Sequence, residues 1–169
     1  CIRDRLLKYS KMELVKLQKV GFIGLGNVGG KLAGSLLRNE CQLMVRDLDR
    51  TVAQPLIDAG ASWADSPKTM AEQCDMVITC LPSPAASATV MEADDGILAG
   101  LSDGKIWAEM STTDGAEVTR LGALVKERGA DPVDCPVSGG CHRAATGNIA
   151  IFAGCDRLVF ERLLPVLTI

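Results

Sequence analysis

The sequence of 169 residues predicts an α/β fold in which a mostly parallel, doubly wound sheet carries helices on both faces. Short apolar segments typical of strands alternate with helical segments of ordinary length after residue 18. The segment DMVITCL (75–81) is almost continuously apolar, which is typical of a strand buried on both sides. Glycines cluster where the first strand meets the first helix, in KVGFIGLGNVGGKLAGSLL (19–37).

The first half of the chain contains the first strand–helix units. In chain order we predict a strand at 20–23, a helix at 28–37, a strand at 41–45, a helix at 51–60, a helix at 67–73 and a strand at 75–81. Gly60 ends the second helix, because glycine readily adopts the left-handed backbone that often follows a helix. Ser66 and Pro67 suit the N-cap and the first position of the third helix.

The second half continues the alternation. It contains a helix at about 85–91, a turn at 94–96, a strand at 105–110, a helix at 113–129, strands at 132–137 and 148–154, and a last helix at 156–167. Leu121, Leu124 and Val125 recur at helical spacing in the long helix, and a glycine-containing loop joins the last two strands. No repeat or linker interrupts the pattern, which predicts one domain at 19–169 after an N-terminal extension at 1–18.

Composition and charge argue against several classes of function. Hydrophobic residues make up 47% and charged residues 23% of the chain, as in ordinary globular proteins. The net charge of −3 gives no electrostatic reason to expect nucleic acid or an anionic membrane as a partner. No apolar segment approaches the length of a membrane span, and the N-terminal extension lacks the apolar core of a secretory signal.

The seven cysteines are scattered singly, with no C-x-x-C pair. Without a secretory signal, this pattern predicts reduced thiols in a cytoplasmic protein. Cys135, Cys141 and the single histidine, His142, lie close in sequence, but their spacing fits no zinc-binding pattern. We therefore expect no metal site.

Gly24, Gly26 and Gly29 form the pattern G-x-G-x-x-G between the first strand and the first helix. In this context the first glycine permits a tight turn, the second lets a pyrophosphate approach the backbone, and the third lets the helix pack on the strand. Backbone N–H groups at the helix N-terminus then face the anion. The predicted cofactor-binding turn consists of Gly24, Leu25, Gly26, Asn27, Val28 and Gly29. Together these features predict a dinucleotide-binding (Rossmann) domain.

Asp47 follows the second strand, where a carboxylate can accept hydrogen bonds from both ribose hydroxyls of a dinucleotide. A 2′-phosphate would be repelled there, which favours NAD over NADP. Arg46 and Arg50 leave NADP open, because an arginine beside this site can pair with a 2′-phosphate. Two other interpretations remain. The glycines could form only a tight turn with Asp47 as a surface charge, or the scaffold could bind S-adenosylmethionine or a flavin nucleotide.

Further segments occur in order along the chain. They are GFIGLGNVG (21–29), TCLPSP (79–84), STTDGAEV (111–118) and DCPVSGG (134–140), together with the spaced segment AATGNIAIFAG (144–154). Together they resemble the cofactor domain of the β-hydroxyacid dehydrogenases, the family of 3-hydroxyisobutyrate dehydrogenase and tartronate semialdehyde reductase. The resemblance implies an oxidoreductase that transfers a hydride between a 3-hydroxy acid, similar to 3-hydroxyisobutyrate, and a nicotinamide cofactor.

The resemblance also implies roles for residues beyond the glycine turn. Leu81 and Pro82 would form a loop over the dinucleotide, with Ala86 nearby, and Thr112 would contact its nicotinamide half. Both loops follow strands that should end at the cofactor edge of the sheet. The structural alternatives are a rigid strand exit for Leu81 and Pro82, and an N-cap for Thr112.

A second motif of the family concerns the substrate. The implied substrate-binding residues are Ser138, Gly139 and Gly140. A hydroxyl and exposed backbone N–H groups there would receive a substrate carboxylate, whereas the alternative is a glycine turn between two strands. Cys135 replaces the alanine usual in the family, a change between small residues. Cys141 and His142 replace less polar residues, so the resemblance does not define the shape of the substrate pocket.

The resemblance places the general acid/base, a lysine, in a glycine-rich helix of a following helical domain. The sequence ends at Ile169, before such a helix. Its own lysines at 31, 68, 105 and 126 lie in predicted helices or at the start of a strand and do not replace it. We therefore expect this chain to bind dinucleotide without catalysis. A non-catalytic dinucleotide-binding module is the alternative, and the sequence leaves homo-oligomerisation open.

Overall fold

A computed structural model describes residues 18–169 of the chain. The predicted N-terminal extension, except for its last residue, lies outside the described residues. Among the described residues, no helix is long and apolar enough to span a bilayer.

The described chain alternates strands and helices as predicted. The strands are β1 (Lys19–Ile23), β2 (Gln42–Arg46), β3 (Ser62–Trp63), β4 (Met76–Thr79), β5 (Ile106–Glu109), β6 (Asp131–Asp134), β7 (Val137–Ser138) and β8 (Ala150–Ile151). The helices are α1 (Gly29–Arg38), α2 (Arg50–Asp58), α3 (Pro67–Gln73), α4 (Pro84–Glu92), α5 (Ile97–Gly100), α6 (Gly115–Glu127), α7 (Gly140–Thr146) and α8 (Arg157–Leu167).

Six strands form one sheet in the order β3-β2-β1-β4-β5-β6, and every neighbouring pair is parallel. β7 and β8 form a separate antiparallel pair, joined to the end of β6 by a bridge between Asp134 and Gly154. The strand order reverses between β1 and β4, because the chain builds outward from β1 to β3 and then returns to the other side of β1. The predicted doubly wound α/β fold is therefore confirmed.

Two apolar layers cover the two faces of the sheet. Alternate residues of β4 and β5 belong to different layers: Met76 and Ile78 to one, Val77 and Trp107 to the other. Helices α1, α2, α7 and α8 supply buried side chains to the first layer, and α3, α4, α5 and α6 supply the second. The alternation follows from the two-residue period of a strand. It explains why these strands are apolar on both sides.

Helix caps account for several of the boundaries. The predicted N-cap at Ser66 is confirmed, since its Oγ accepts a hydrogen bond from the Thr69 N–H at 3.0 Å. Ser83 caps α4 in the same way and is followed by Pro84. The long helix starts at Gly115 rather than 113, because the Asp114 side chain caps it.

The predictions were wrong in the last third of the domain and for two short elements. The predicted strand at 132–137 is divided into β6 and β7, and the strand at 148–154 is shortened to β8. The segment expected to be a glycine-containing loop includes helix α7, which lies between the N-cap Gly139 and the C-cap Gly147. β3 and α5 were also missed, since elements of two and four residues are too short for a periodic signal.

Candidate functional site

An open cleft of about 770 Å³ lies where β1 and β4 end, at the point of strand-order reversal. This is the position at which doubly wound sheets bind ligands, and the volume is in the usual range for small-molecule sites. The cleft is lined by Ile23, Gly24, Gly26, Asn27, Val28, Gly29, Arg46, Asp47, Leu48, Pro67, Cys80, Leu81, Pro82, Ala86, Thr89, Val90, Ala93 and Asp95.

The three glycines of the turn are required for three different reasons. Gly24 has a φ of +94°, and a Cβ there would lie 2.2 Å from the Cys80 carbonyl oxygen. A Cβ on Gly29 would lie 1.9 Å from the carbonyl oxygen of Gly24, so the helix could not approach the strand. A Cβ on Gly26 would meet no atom within 4 Å, because this residue faces the open cleft. The first and third glycines shape the turn, and the second leaves the cleft empty.

The N-terminus of α1 faces the cleft with unused hydrogen-bond donors. Val28 occupies the N-cap position and makes no side-chain capping bond. Within residues 18–169, the N–H groups of Asn27 and Val28 donate to no protein acceptor, whereas the Gly30 N–H is already bonded to the Gly26 carbonyl. Free N–H groups at the positive end of a helix dipole suit a phosphate or pyrophosphate. The turn therefore fits an anionic dinucleotide.

Asp47 is held at the edge of the cleft by the backbone. Its Oδ2 accepts a hydrogen bond from the Leu25 N–H at 2.6 Å, and its Oδ1 accepts one from the Asp49 N–H at 3.1 Å. A carboxylate offers about four acceptor positions, so two backbone donors leave capacity for two hydroxyl groups. Leu25 itself is buried, and its contribution to the site is this N–H group. Asp47 is thus fixed in place before any ribose binds.

Two arginines flank the Asp47 edge of the cleft. The Arg46 guanidinium donates to the carbonyl oxygens of Ala64 at 2.9 Å and Asp65 at 2.6 Å. The guanidinium groups of Arg46 and Arg50 lie 5.7 Å and 5.2 Å from the centre of the Trp63 ring, within the range of cation–π attraction. Arg46 lines the cleft, but two carbonyl groups already hold its charged end.

Helix α4 forms one wall of the cleft, an arrangement that sequence reasoning only partly recognised. Ala86 was expected there, and Thr89, Val90 and Ala93 join it. These four residues recur at intervals of three and four, the spacing of one helix face. That spacing was readable in the sequence, but nothing in it indicated that this face is turned toward the glycine turn.

Cys80 lies between the glycine turn and α4, and it was not among the predicted site residues. Burial, and then the nearby Glu109 carboxylate, raise the pKa of the Cys80 thiol to about 11. The thiol is therefore neutral at physiological pH and is a poor nucleophile. Cys80 contributes to the cleft as a small apolar side chain.

Most of the predicted cofactor residues come together in this cleft, and the remaining predicted residues lie elsewhere. Thr112 is exposed beyond the end of β5 and does not line the cleft. Ser138 ends β7, Gly139 is the N-cap of α7 and Gly140 is its first residue; all three are exposed and lie outside the cleft. The glycines at 139 and 140 thus lead into a helix, not into a simple turn between two strands. Among the described residues, no group of three His, Cys, Asp or Glu side chains is arranged to bind a metal.

The comparison with known families agrees with this geometry. A family model described as the NAD binding domain of 6-phosphogluconate dehydrogenase matches residues 19–169. The chain belongs to this family. It carries an NAD(P)-binding domain, and the resemblance to the β-hydroxyacid dehydrogenases is confirmed.

Individual relatives of this NAD-binding family are dehydrogenases. The chain is 32% identical over 151 residues to 2-(hydroxymethyl)glutarate dehydrogenase of Eubacterium barkeri, covering 89% of this chain and 50% of that protein. It is 37% identical over 135 residues to the mitochondrial 3-hydroxyisobutyrate dehydrogenase of Rattus norvegicus, covering 80% and 40%. The chain thus spans half or less of the length of these curated relatives.

A solved structure also matches the chain over about half of its own length. Psf3, in complex with NADP⁺ and 2-OPP, superposes on the chain with a TM-score of 0.85 at 31% identity. The match covers 88% of this chain and 53% of that chain.

Proposed function

We propose that the chain binds NAD in the cleft at the carboxyl ends of β1 and β4, as the cofactor domain of a hydroxyacid dehydrogenase. One observation carries the proposal: free N–H groups at the start of α1 and the fixed Asp47 carboxylate face the same open cleft. The N–H groups would bind the pyrophosphate and Asp47 the adenosine ribose. The bound nicotinamide would supply the hydride acceptor, while the protein binds, orients and shields the reactants.

We propose NAD over NADP as the preferred cofactor. Asp47 carries a negative charge where a 2′-phosphate would lie, which disfavours NADP by charge repulsion. The Arg46 guanidinium is not free to pair with a 2′-phosphate, because it donates to the carbonyl oxygens of Ala64 and Asp65. Arg50 stacks on Trp63 and is the remaining cation that could approach a 2′-phosphate. The solved relative Psf3 is in complex with NADP⁺, so the binding of both cofactors has to be compared.

Titration of the 169-residue chain with NADH and NADPH, followed by nicotinamide fluorescence, tests both proposals. We expect NADH to bind more tightly than NADPH. In Asp47→Asn the amide oxygen can still accept the hydrogen bond from the Leu25 N–H, but the charge is lost. The affinity for NADH should therefore fall by roughly 10-fold or more, and the preference for NADH over NADPH should shrink. Absence of binding to either cofactor would contradict the proposed function, and tight binding of S-adenosylmethionine in a thermal-shift panel would favour a methyltransferase.

We propose that the whole protein oxidises a 3-hydroxy acid similar to 3-hydroxyisobutyrate. The relatives that act on 3-hydroxyisobutyrate and on 2-(hydroxymethyl)glutarate support this class of substrate. Within the proposal, Ser138, Gly139 and Gly140 receive the substrate carboxylate, and Thr112 contacts the nicotinamide half. Their exposed positions beyond β5 and β6 are compatible with a site completed from outside this domain.

The isolated chain should bind dinucleotide and fail to turn over substrate. No lysine is among the residues that line the cleft within the described chain. The Lys105 ammonium is engaged elsewhere, since it donates to backbone carbonyl oxygens at the end of α3. Oxidation of 3-hydroxyisobutyrate by the isolated chain would refute this expectation. In the full-length protein, Ser138→Ala should raise the KM for the hydroxy acid without changing the affinity for NADH.

We also propose a reducing compartment, the cytoplasm, for the protein. The six cysteines among the described residues are all free thiols, which supports this proposal. Fractionation of cells that express the tagged full-length protein tests it, and recovery with organelles would contradict it.

A further inference from the structure

A buried carboxylate lies behind the proposed cofactor site without a cationic partner. Glu109, the last residue of β5, has 0% of its surface exposed. Its Oε2 accepts a hydrogen bond from Ser87 Oγ at 2.9 Å, and its Oε1 accepts bonds from the N–H and the hydroxyl of Ser111, the first at 2.9 Å. No Lys or Arg of residues 18–169 forms an ion pair with it. Three hydrogen bonds converge on this one buried side chain, so its removal would leave three donors without their acceptor.

Each partner of Glu109 belongs to a segment at the cofactor edge. Ser111 Oγ also accepts a hydrogen bond from the Leu81 N–H at 2.7 Å, which ties down the loop of Leu81 and Pro82. Ser87 lies in the first turns of α4, next to Ala86 of the cleft wall. Ser111 directly precedes Thr112. The carboxylate therefore joins three segments that are separated by as many as 30 residues in sequence.

We propose that Glu109 is a positioning residue for the nicotinamide half of the cofactor. It holds the Leu81–Pro82 loop, the first turns of α4 and the Ser111–Thr112 segment in one arrangement. This inference rests on the proposed dinucleotide binding. The glycine turn packs against Cys80 and Leu81, but neither it nor Asp47 shares a hydrogen bond with this network among the described residues. We therefore expect the adenosine half of the site to depend on Glu109 far less than the nicotinamide half does.

The geometry suggests a matched pair of substitutions at this position. Glu109→Ala removes the acceptor for all three donors. Glu109→Gln keeps an oxygen for Ser111, and its NH₂ group can donate to the Ser87 hydroxyl, which accepts as well as donates. The Ser87 proton can then bond to a carbonyl group one turn earlier in α4, as helical serines often do. Glu109→Gln should therefore preserve the arrangement that Glu109→Ala destroys.

The two halves of the site are separated by comparing NADH with ADP-ribose, which lacks the nicotinamide. In Glu109→Ala, we expect NADH affinity to fall by roughly 10- to 100-fold, while ADP-ribose affinity stays within about twofold. Glu109→Gln should bind both ligands nearly as wild type does. Ser111→Ala removes the acceptor of the Leu81 N–H and one of the three donors to Glu109, while the bonds from the Ser111 N–H and from Ser87 remain. It should reproduce the selective loss, which provides a second variant if Glu109→Ala does not fold.

Hydrogen exchange gives a readout that needs no ligand. The Leu81 N–H should exchange faster in Ser111→Ala and Glu109→Ala than in wild type and Glu109→Gln. An equal loss of affinity for NADH and ADP-ribose would overturn the inference about Glu109 but not the proposed dinucleotide binding. Unchanged NADH binding in both Ser111→Ala and Glu109→Ala would have the same consequence. Wild-type protein that binds neither ligand would overturn the proposed function, and the inference with it.

Discussion

At the scale of single residues, the glycines of the turn have two different roles. One kind shapes the fold, and the other leaves room for a ligand. Gly29 is packed so tightly that an added Cβ would overlap the backbone of Gly24. Gly26 has open space in front of it, so the fold itself does not require a glycine there. The absence of a side chain at Gly26 is explained by the ligand that the cleft is proposed to bind.

Alanine substitutions at these two positions should therefore affect different quantities: the affinity for NADH at Gly26 and the stability at Gly29. Gly26→Ala should leave the thermal unfolding temperature close to wild type but weaken NADH by roughly 10-fold or more, because its methyl group occupies the space of the pyrophosphate. Gly29→Ala should lower the free energy of unfolding by about 1–3 kcal/mol through overpacking. Thermal melts and NADH fluorescence titrations measure both effects. Wild-type NADH affinity in Gly26→Ala would show that no ligand approaches the backbone there.

At the scale of secondary-structure elements, Lys105 connects β5 to the last turn of α3. Its Nζ donates to the carbonyl oxygens of Ala71, Glu72 at 2.8 Å and Cys74 at 2.9 Å. The last carbonyl groups of a helix have no partners within the helix, and a lysine there also interacts favourably with the helix dipole. Because Lys105 precedes β5, it lies at the amino edge of the parallel sheet, opposite the cleft. Its role is structural.

Lys105→Met should therefore affect stability and not binding. We expect the free energy of unfolding to fall by about 1–3 kcal/mol, with NADH affinity unchanged. Urea unfolding and NADH titration measure the two quantities. Lys126→Met is the matched control, since Lys126 is exposed on α6, and it should change stability by no more than about 0.5 kcal/mol. A loss of NADH affinity in Lys105→Met would contradict the structural role.

At the scale of the whole molecule, the core contains several thiols that folding keeps protonated. Burial raises the pKa of the thiols of Cys41, Cys74 and Cys80 to about 11 and that of Cys135 to about 12. Above about pH 9 the unfolded chain loses these protons and the folded protein retains them. The stabilising effect of the buried neutral thiols is thus complete below that pH and is lost as the pH rises toward 11 or 12.

Cys135→Ala should reduce this alkaline loss of stability. Cys135 is fully buried, and alanine is close to it in size. We expect the free energy of unfolding of the variant to fall less steeply between pH 9 and 11, by about 1.4 kcal/mol for each pH unit. Urea unfolding at a series of pH values measures the slope. Cys141→Ala, at an exposed position, is the control and should keep the wild-type slope; equal slopes in Cys135→Ala and wild type would refute the prediction.

Local sequence patterns determined the main elements because each depends on nearby residues. The apolar segments, the Ser66 N-cap and the spacing of Gly24, Gly26 and Gly29 were sufficient to predict a parallel α/β sheet with a glycine turn at its edge. The same patterns failed for β3, α5 and α7, which are held by their neighbours and not by their own periodicity. The position of Asp47 beside the turn could be predicted because β1 and β2 are parallel, and parallel strands have their carboxyl ends at the same edge of the sheet.

Only the tertiary structure decided which groups meet across the sheet. The bond from the Leu25 N–H to Asp47, the pinning of Arg46 by Ala64 and Asp65, and the link from Leu81 through Ser111 to Glu109 join residues from 2 to 30 positions apart. Most of these partners belong to different strands or loops, and no local pattern specifies which of them face one another. These hydrogen bonds depend on how the assembled sheet brings distant segments together, so the sequence predicted the cleft but not how its walls are held.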